Sequence, residues 1–185
     1  MNAPFNAAPT FALPAELDSL SPPPLLLPGE SLEKYELMRH AIFADLAPRS
    51  VIEWLLAIDV VELSWEIQRY RILRHKLLEH FREEAIEQTL RHIDLAGLPP
   101  ETEDHARYQI QRNARIWRID PTAASEIETR LAAYGYDSFA INTQVYLQAR
   151  DIFLAFEALL NSAQNRRMSL LREINNRRHM ENRQR

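Results

Sequence analysis

Val145, Ala149, Ile152, Phe156, Leu159 and Ala163 recur at alternating spacings of four and three residues, and the row runs on to Leu170 and Ile174. Apolar residues in that rhythm draw one stripe down a long α-helix, and such a stripe needs another helix to cover it. A second row, Val51, Ile58, Trp65, Ile72, Ile86 and Ile93, falls on multiples of seven, with Glu79 interrupting it. Trp54, Leu55, Val61, Leu63, Tyr70, Leu73, Leu77 and Phe81 widen this stripe in its first half. That half is therefore expected to touch several neighbours, and the narrower second half one.

Breakers and caps divide the rest. Ser31 is placed to cap a helix reaching about Leu46, with Leu32, Tyr35, Met38, Ile42 and Leu46 on one face, and Pro48 ends it. Ser50 with Glu53 reads as a capping box for the next helix, which runs about 51–96 until Gly97, Pro99 and Pro100 stop it. Continuous, it would be roughly 69 Å long. A third helix is expected over about Glu103–Trp117. Asp120 before Pro121 signals a fourth, ending near Tyr134 at Gly135. Ser138 opens the seam helix, expected to reach about Arg178. The expected fold is all-α: two long antiparallel helices, about 51–96 and 138–178, with shorter helices packed on them.

Residues 1–28 hold Pro4, Pro9, Pro14, Pro22, Pro23, Pro24 and Pro28 and no Lys or Arg, so they are expected to be extended or disordered. The organisation expected is this segment followed by a single helical domain over 29–180. There are three glycines and no cysteine, which argues against tight-turned β structure, Gly-rich phosphate loops, disulfides and thiolate chemistry. No run approaches the roughly 20 apolar residues of a membrane span, and no secretory leader pattern opens the sequence. A cytoplasmic protein is the default expectation.

Candidate chemistry is sparse. Of the six histidines, His80 with Glu84 and His40 with Glu36 could share a helix face, but neither HExxH nor a di-iron pattern occurs. No metal or other cofactor is expected, and no small-molecule substrate is evident. Glu79, Glu83, Glu84 and Glu87 alternate with Lys76, Arg82 and Arg91, the pattern of a solvated, salt-bridged face rather than of an acid–base pair in a cleft. Trp54, Trp65 and Trp117 read as packing anchors. The net charge of −4 is unevenly spread: residues 161–185 carry seven arginines against Glu173 and Glu181, so the tail is +5 and the remainder −9. Arg166, Arg167, Arg177 and Arg178 form two pairs eleven residues apart, on about one side of a helix, and Arg172 extends the field. Such a strip suits phosphates or an acidic protein surface.

Leu27-Pro-Gly-Glu30, followed by Tyr35, Leu46-Ala-Pro-Arg49 and Trp65-Glu-Ile-Gln-Arg69, resembles the opening of a set of short alphaproteobacterial helical proteins. The close, Asn161-Ser-Ala-Gln-Asn-Arg-Arg167, Leu171-Arg-Glu-Ile174 and Arg177-Arg178, is similar to their ending. The resemblance covers most of 25–180 and implies no reaction and no catalytic residue. In many of those proteins a basic segment precedes the LPGE; here that segment is proline-rich and has no basic residue.

The function expected is a non-enzymatic helical scaffold or adaptor that acts through helix–helix protein contacts and self-associates. The packing surface expected for it is Trp54, Ile58, Val61 and Trp65, within Trp54–Phe81, together with Ile152, Phe156 and Leu159 of the seam Val145–Leu170. The alternative is a nucleic-acid-associated protein that grips phosphates through Arg166, Arg167, Arg172, Arg177 and Arg178.

Overall fold

The structure is a computed structural model that describes residues 14–18 and 24–184. Most of the proline-rich segment expected to be extended thus lies outside the described residues. Among those described there are six helices and no strand: α1 (Ala15–Asp18), α2 (Leu32–Leu46), α3 (Val51–Asp94), α4 (Pro100–Ile119), α5 (Pro121–Ala133) and α6 (Ser138–Gln184). The fold is all-α, as the apolar periodicity requires.

Local chemistry accounts for the boundaries. Ser31 Oγ accepts the Lys34 N–H at 3.3 Å, and Asp120 Oδ1 accepts that of Thr122 at 2.9 Å, each quenching an amide left open at a helix start. α4 begins at Pro100, before the expected Glu103, because proline suits a first helical position where no N–H is needed. It runs on to Ile119, where Asp120 and Pro121 start the next helix. α3 stops at Asp94, slightly short of the expected 96, in a turn closed by Gly97 at φ 78°. α6 continues past Arg178 to Gln184, since no glycine or proline follows to break it. At Ser50 the capping box is half made. Ser50 Oγ accepts the Glu53 N–H, but the Glu53 carboxylate takes the Arg49 N–H at 2.8 Å.

Where the sequence suggests one domain from 29 to 180, the chain divides into two compact units, one of Met1–Arg71 with Glu157–Arg185 and one of Ile72–Phe156. In the first unit, α1 and α2 cover the beginning of α3. Leu17, Tyr35, Phe43, Trp54, Ala57, Val61 and Trp65 form its core. Edge-to-face contacts of Phe43 with Trp54 (5.1 Å) and of Tyr35 with Trp65 (5.5 Å) tie α2 to α3. Leu32, expected on the buried face of α2, is exposed because it sits in the first helical position; Phe43 lies inside instead. On another face of the same α3 segment, Leu63 and Ile67 meet Leu160 and Ala163 of α6, which runs antiparallel to it.

The second unit has its own core of Ala85, Ile86, Leu90, Ile110, Leu131, Ile141 and Val145, drawn from α3, α4, α5 and α6. Trp117 packs at its edge, its indole N–H donating to Glu128 at 3.1 Å and the Arg82 guanidinium lying over its ring. Here too α3 and α6 are antiparallel, with Gln148 Nε2 donating to Gln88 Oε1 at 2.6 Å.

Candidate functional site

Leu27-Pro28-Gly29-Glu30 makes a tight turn in which the Glu30 N–H returns to the Leu27 carbonyl at 3.0 Å. Gly29 supplies the φ of 89° that this turn demands and that a side chain would resist. The turn aims the Glu30 carboxylate at α3. There it accepts Arg69 Nε at 2.7 Å, Arg69 Nη2 at 2.8 Å, Trp65 Nε1 at 3.2 Å and its own Leu27 N–H at 2.8 Å. Arg69 Nη2 also donates to the Leu25 carbonyl at 2.5 Å. The Arg69 guanidinium, helped by the other donors, holds the Glu30 carboxyl down at a pKa of about 2. LPGE and the Trp65–Arg69 run thus meet in one clamp that fastens residues 25–30 to α3.

The arginines expected to form a contact strip part company. Arg178 turns inward: it donates to the Glu53 carboxylate at 3.2 and 3.0 Å and to the Leu46 carbonyl at 2.5 Å. Glu53 is 1% exposed, and the Arg178 cation keeps its carboxyl below the usual range. Arg167 also faces α3, its Nη1 3.5 Å from Ser64 Oγ. Arg177 pairs with Glu173 one turn back at 2.7 Å. Arg166 and Arg172 are left outermost. Arg166 borders a surface hollow of about 390 Å³ with Asp59, Asn165, Ser169 and Leu170. The expectation of five arginines on one contact surface is corrected on this point. Arg178 and Arg167 lie eleven residues apart on α6 and meet Glu53 and Ser64, eleven apart on α3, so this spacing is a packing register between antiparallel helices.

The expected apolar interface divides as well. Trp54, Val61 and Trp65 are buried in the first unit's own core, with Ile58 packed at its edge. They pack with residues of α1 and α2. Phe156 is half-buried, whereas Ile152 and Leu159 are 42% and 46% exposed. The seam is not one buried stripe. A set of heptad positions drifts by about 20° per heptad around a straight helix. Along 145, 152 and 159 the row walks out of the contact, and Leu160 takes the inner position instead.

A different row of α6 stands free in the second unit. Phe139, Tyr146, Leu147 and Leu154 are 82%, 60%, 68% and 59% exposed. Phe153 is half-buried beside them, its ring 5.4 Å from that of Tyr146. Phe139, Tyr146 and Phe153 are seven apart, as are Leu147 and Leu154, so together they make a strip about 24 Å long. The seven-residue spacing of this row is present in the sequence, beside the longer 4-3 seam.

The remaining polar clusters are paired surfaces. Glu79 meets Lys76 at 2.9 Å, Glu83 meets Arg118 at 2.7 Å, Glu84 meets His80 at 3.1 Å and Glu87 meets Arg91 at 2.6 Å. His40 lies 4.0 Å from the Glu36 carboxylate. Among the described residues, no group of three or more His, Asp or Glu side chains is gathered as a metal site would need, and no helix is long and apolar enough to cross a membrane. A second hollow, of about 280 Å³, is lined by Gln88, Thr89, His92, Tyr136 and Gln144, with Ala140 and Ile141 as its apolar wall. In comparisons with protein-family models, curated proteins and solved structures, nothing matches this chain.

Proposed function

We propose that this protein is a non-enzymatic helical scaffold that acts through helix–helix contact and self-associates. The observation that carries the reading is the strip Phe139, Tyr146, Leu147, Phe153 and Leu154. Four of these five large apolar side chains face solvent on one side of a regular helix. Scattered exposed leucines are ordinary; a continuous aromatic and aliphatic row is the mark of a contact surface. The ion pairs support the same reading. Glu30 with Arg69 and Glu53 with Arg178 fasten elements of the fold together.

The test is sedimentation velocity over a range of concentrations, comparing the wild-type chain with Leu147→Lys. The reading expects reversible association in the micromolar range that the lysine abolishes. A chain that stays monomeric throughout rejects it. The nucleic-acid reading is narrower than five arginines would make it, resting on Arg166 and Arg172, which are exposed. Salt-sensitive binding of a DNA duplex that is lost in Arg166→Gln/Arg172→Gln would favour it over the scaffold.

A further inference from the structure

We infer that the α6 strip is covered by a second copy of this chain lying antiparallel to the first, with the two-fold axis at the level of Tyr146 and Leu147. The inference rests on the scaffold reading and adds to it the occupant and the register. The strip is two parallel rows, one aromatic (Phe139, Tyr146, Phe153) and one aliphatic (Leu147, Leu154), with Thr143 and Arg150 on the line between them. A two-fold axis perpendicular to the helix keeps each row on its own side. Phe139 then packs on the partner's Phe153, Tyr146 on the partner's Tyr146 and Leu147 on the partner's Leu147. The aromatic row is thus symmetric about its own centre, as an isologous contact requires.

Charge decides the direction. Arg150 is exposed and is the one charged side chain on the centre line of the strip between Phe139 and Leu154. A parallel pair would set it against its own copy, which like charges oppose. The antiparallel pair sets it against the partner's Thr143. That hydroxyl donates its proton to the Phe139 carbonyl at 2.8 Å, so its oxygen is free to accept from a guanidinium. The five apolar side chains present roughly 500 Å² per copy, hence about 1,000 Å² across the pair, the lower edge of what a specific interface buries. The dimer is therefore reversible and weak. The contact of Tyr146 with Phe153 within one copy sets part of the surface in advance.

The chain has no cysteine, so single cysteines report the register directly. Leu147→Cys, Thr143→Cys and Arg150→Cys are each oxidised under conditions where the dimer forms, with circular dichroism confirming that each variant is helical. Leu147→Cys is expected to link to itself. Thr143→Cys and Arg150→Cys are expected to stay unlinked alone and to link to each other when mixed. Self-linking of Thr143→Cys and of Arg150→Cys means a parallel pair and overturns the register while leaving the scaffold reading intact. A dimer with no link at any of the three positions also overturns it, since association then uses another face. A chain that is monomeric at every concentration overturns the scaffold reading and the register together.

Discussion

Arg69 and Trp65 keep Glu30 ionised to lower pH than a free glutamate, so the clamp has a defined response to acid. Its folded pKa of about 2 lies below the unfolded 4.5, so its stabilisation is complete above about pH 4.5 and is lost as pH falls through 2. The Glu53 carboxyl shifts in the same direction through Arg178 and adds to the same acid-side loss. The Glu30 depression alone is worth roughly 3 kcal/mol at neutral pH. Glu30→Gln should lower stability at pH 7 by about 2–3 kcal/mol and flatten the loss between pH 5 and 2, as measured by urea unfolding at a series of pH values. Arg178→Gln leaves a buried carboxylate without its cation and should cost about 3–5 kcal/mol. Arg166→Gln and Arg172→Gln, on the outer side of the same helix, should stay within about 0.5 kcal/mol of wild type in the same assay. Equal effects at the three arginines would mean that their inward and outward assignment is wrong.

At the scale of elements, α3 and α6 carry the architecture, and both units depend on how closely they approach. Ala149 has no exposed surface, and Ala163, almost as buried, packs with Leu63 and Ile67 of α3. Ala149→Leu should destabilise by about 1–3 kcal/mol through overpacking, read as a lowered unfolding midpoint. Two residues of the same sequence seam should behave differently: Ile174→Ala, at a buried position, costs about 2–5 kcal/mol, and Leu159→Ala well under half of that. Helix starts and stops were legible because each has a local cause, such as Ser31, Asp120 with Pro121, or Gly97. Which face of α6 lies inward was less so. The 4-3 spacing selects a stripe, but its drift past Ile152 and Leu159 depends on how far the helix follows its neighbour, which no single segment encodes. Phe43 was missed for a related reason: it sits beside the row of Tyr35, Met38, Ile42 and Leu46 rather than on it, and its place is fixed by Trp54 across the contact.

For the whole molecule, the LPGE motif and the Leu46–Arg49 turn are fastened by residues distant in sequence. The LPGE turn is held by Trp65 and Arg69, and the Leu46–Arg49 turn is held by Arg178. Their partners are 39 and 132 residues away in sequence, so the sequence displayed the residues without displaying the pairing. The sequence displays an apolar row on the last long helix, and the exposed row proposed as the contact surface lies part of a turn away from it. Association through that row should also raise the thermal unfolding midpoint with protein concentration, since the dimer draws the folded state by mass action. The most direct measurement is sedimentation velocity of the wild-type chain and of Leu147→Lys across concentrations from low to high micromolar. The account predicts a reversible monomer–dimer equilibrium for the first and a monomer of unchanged helicity for the second. A wild-type chain that remains monomeric, or a dimer that survives the lysine, would contradict it.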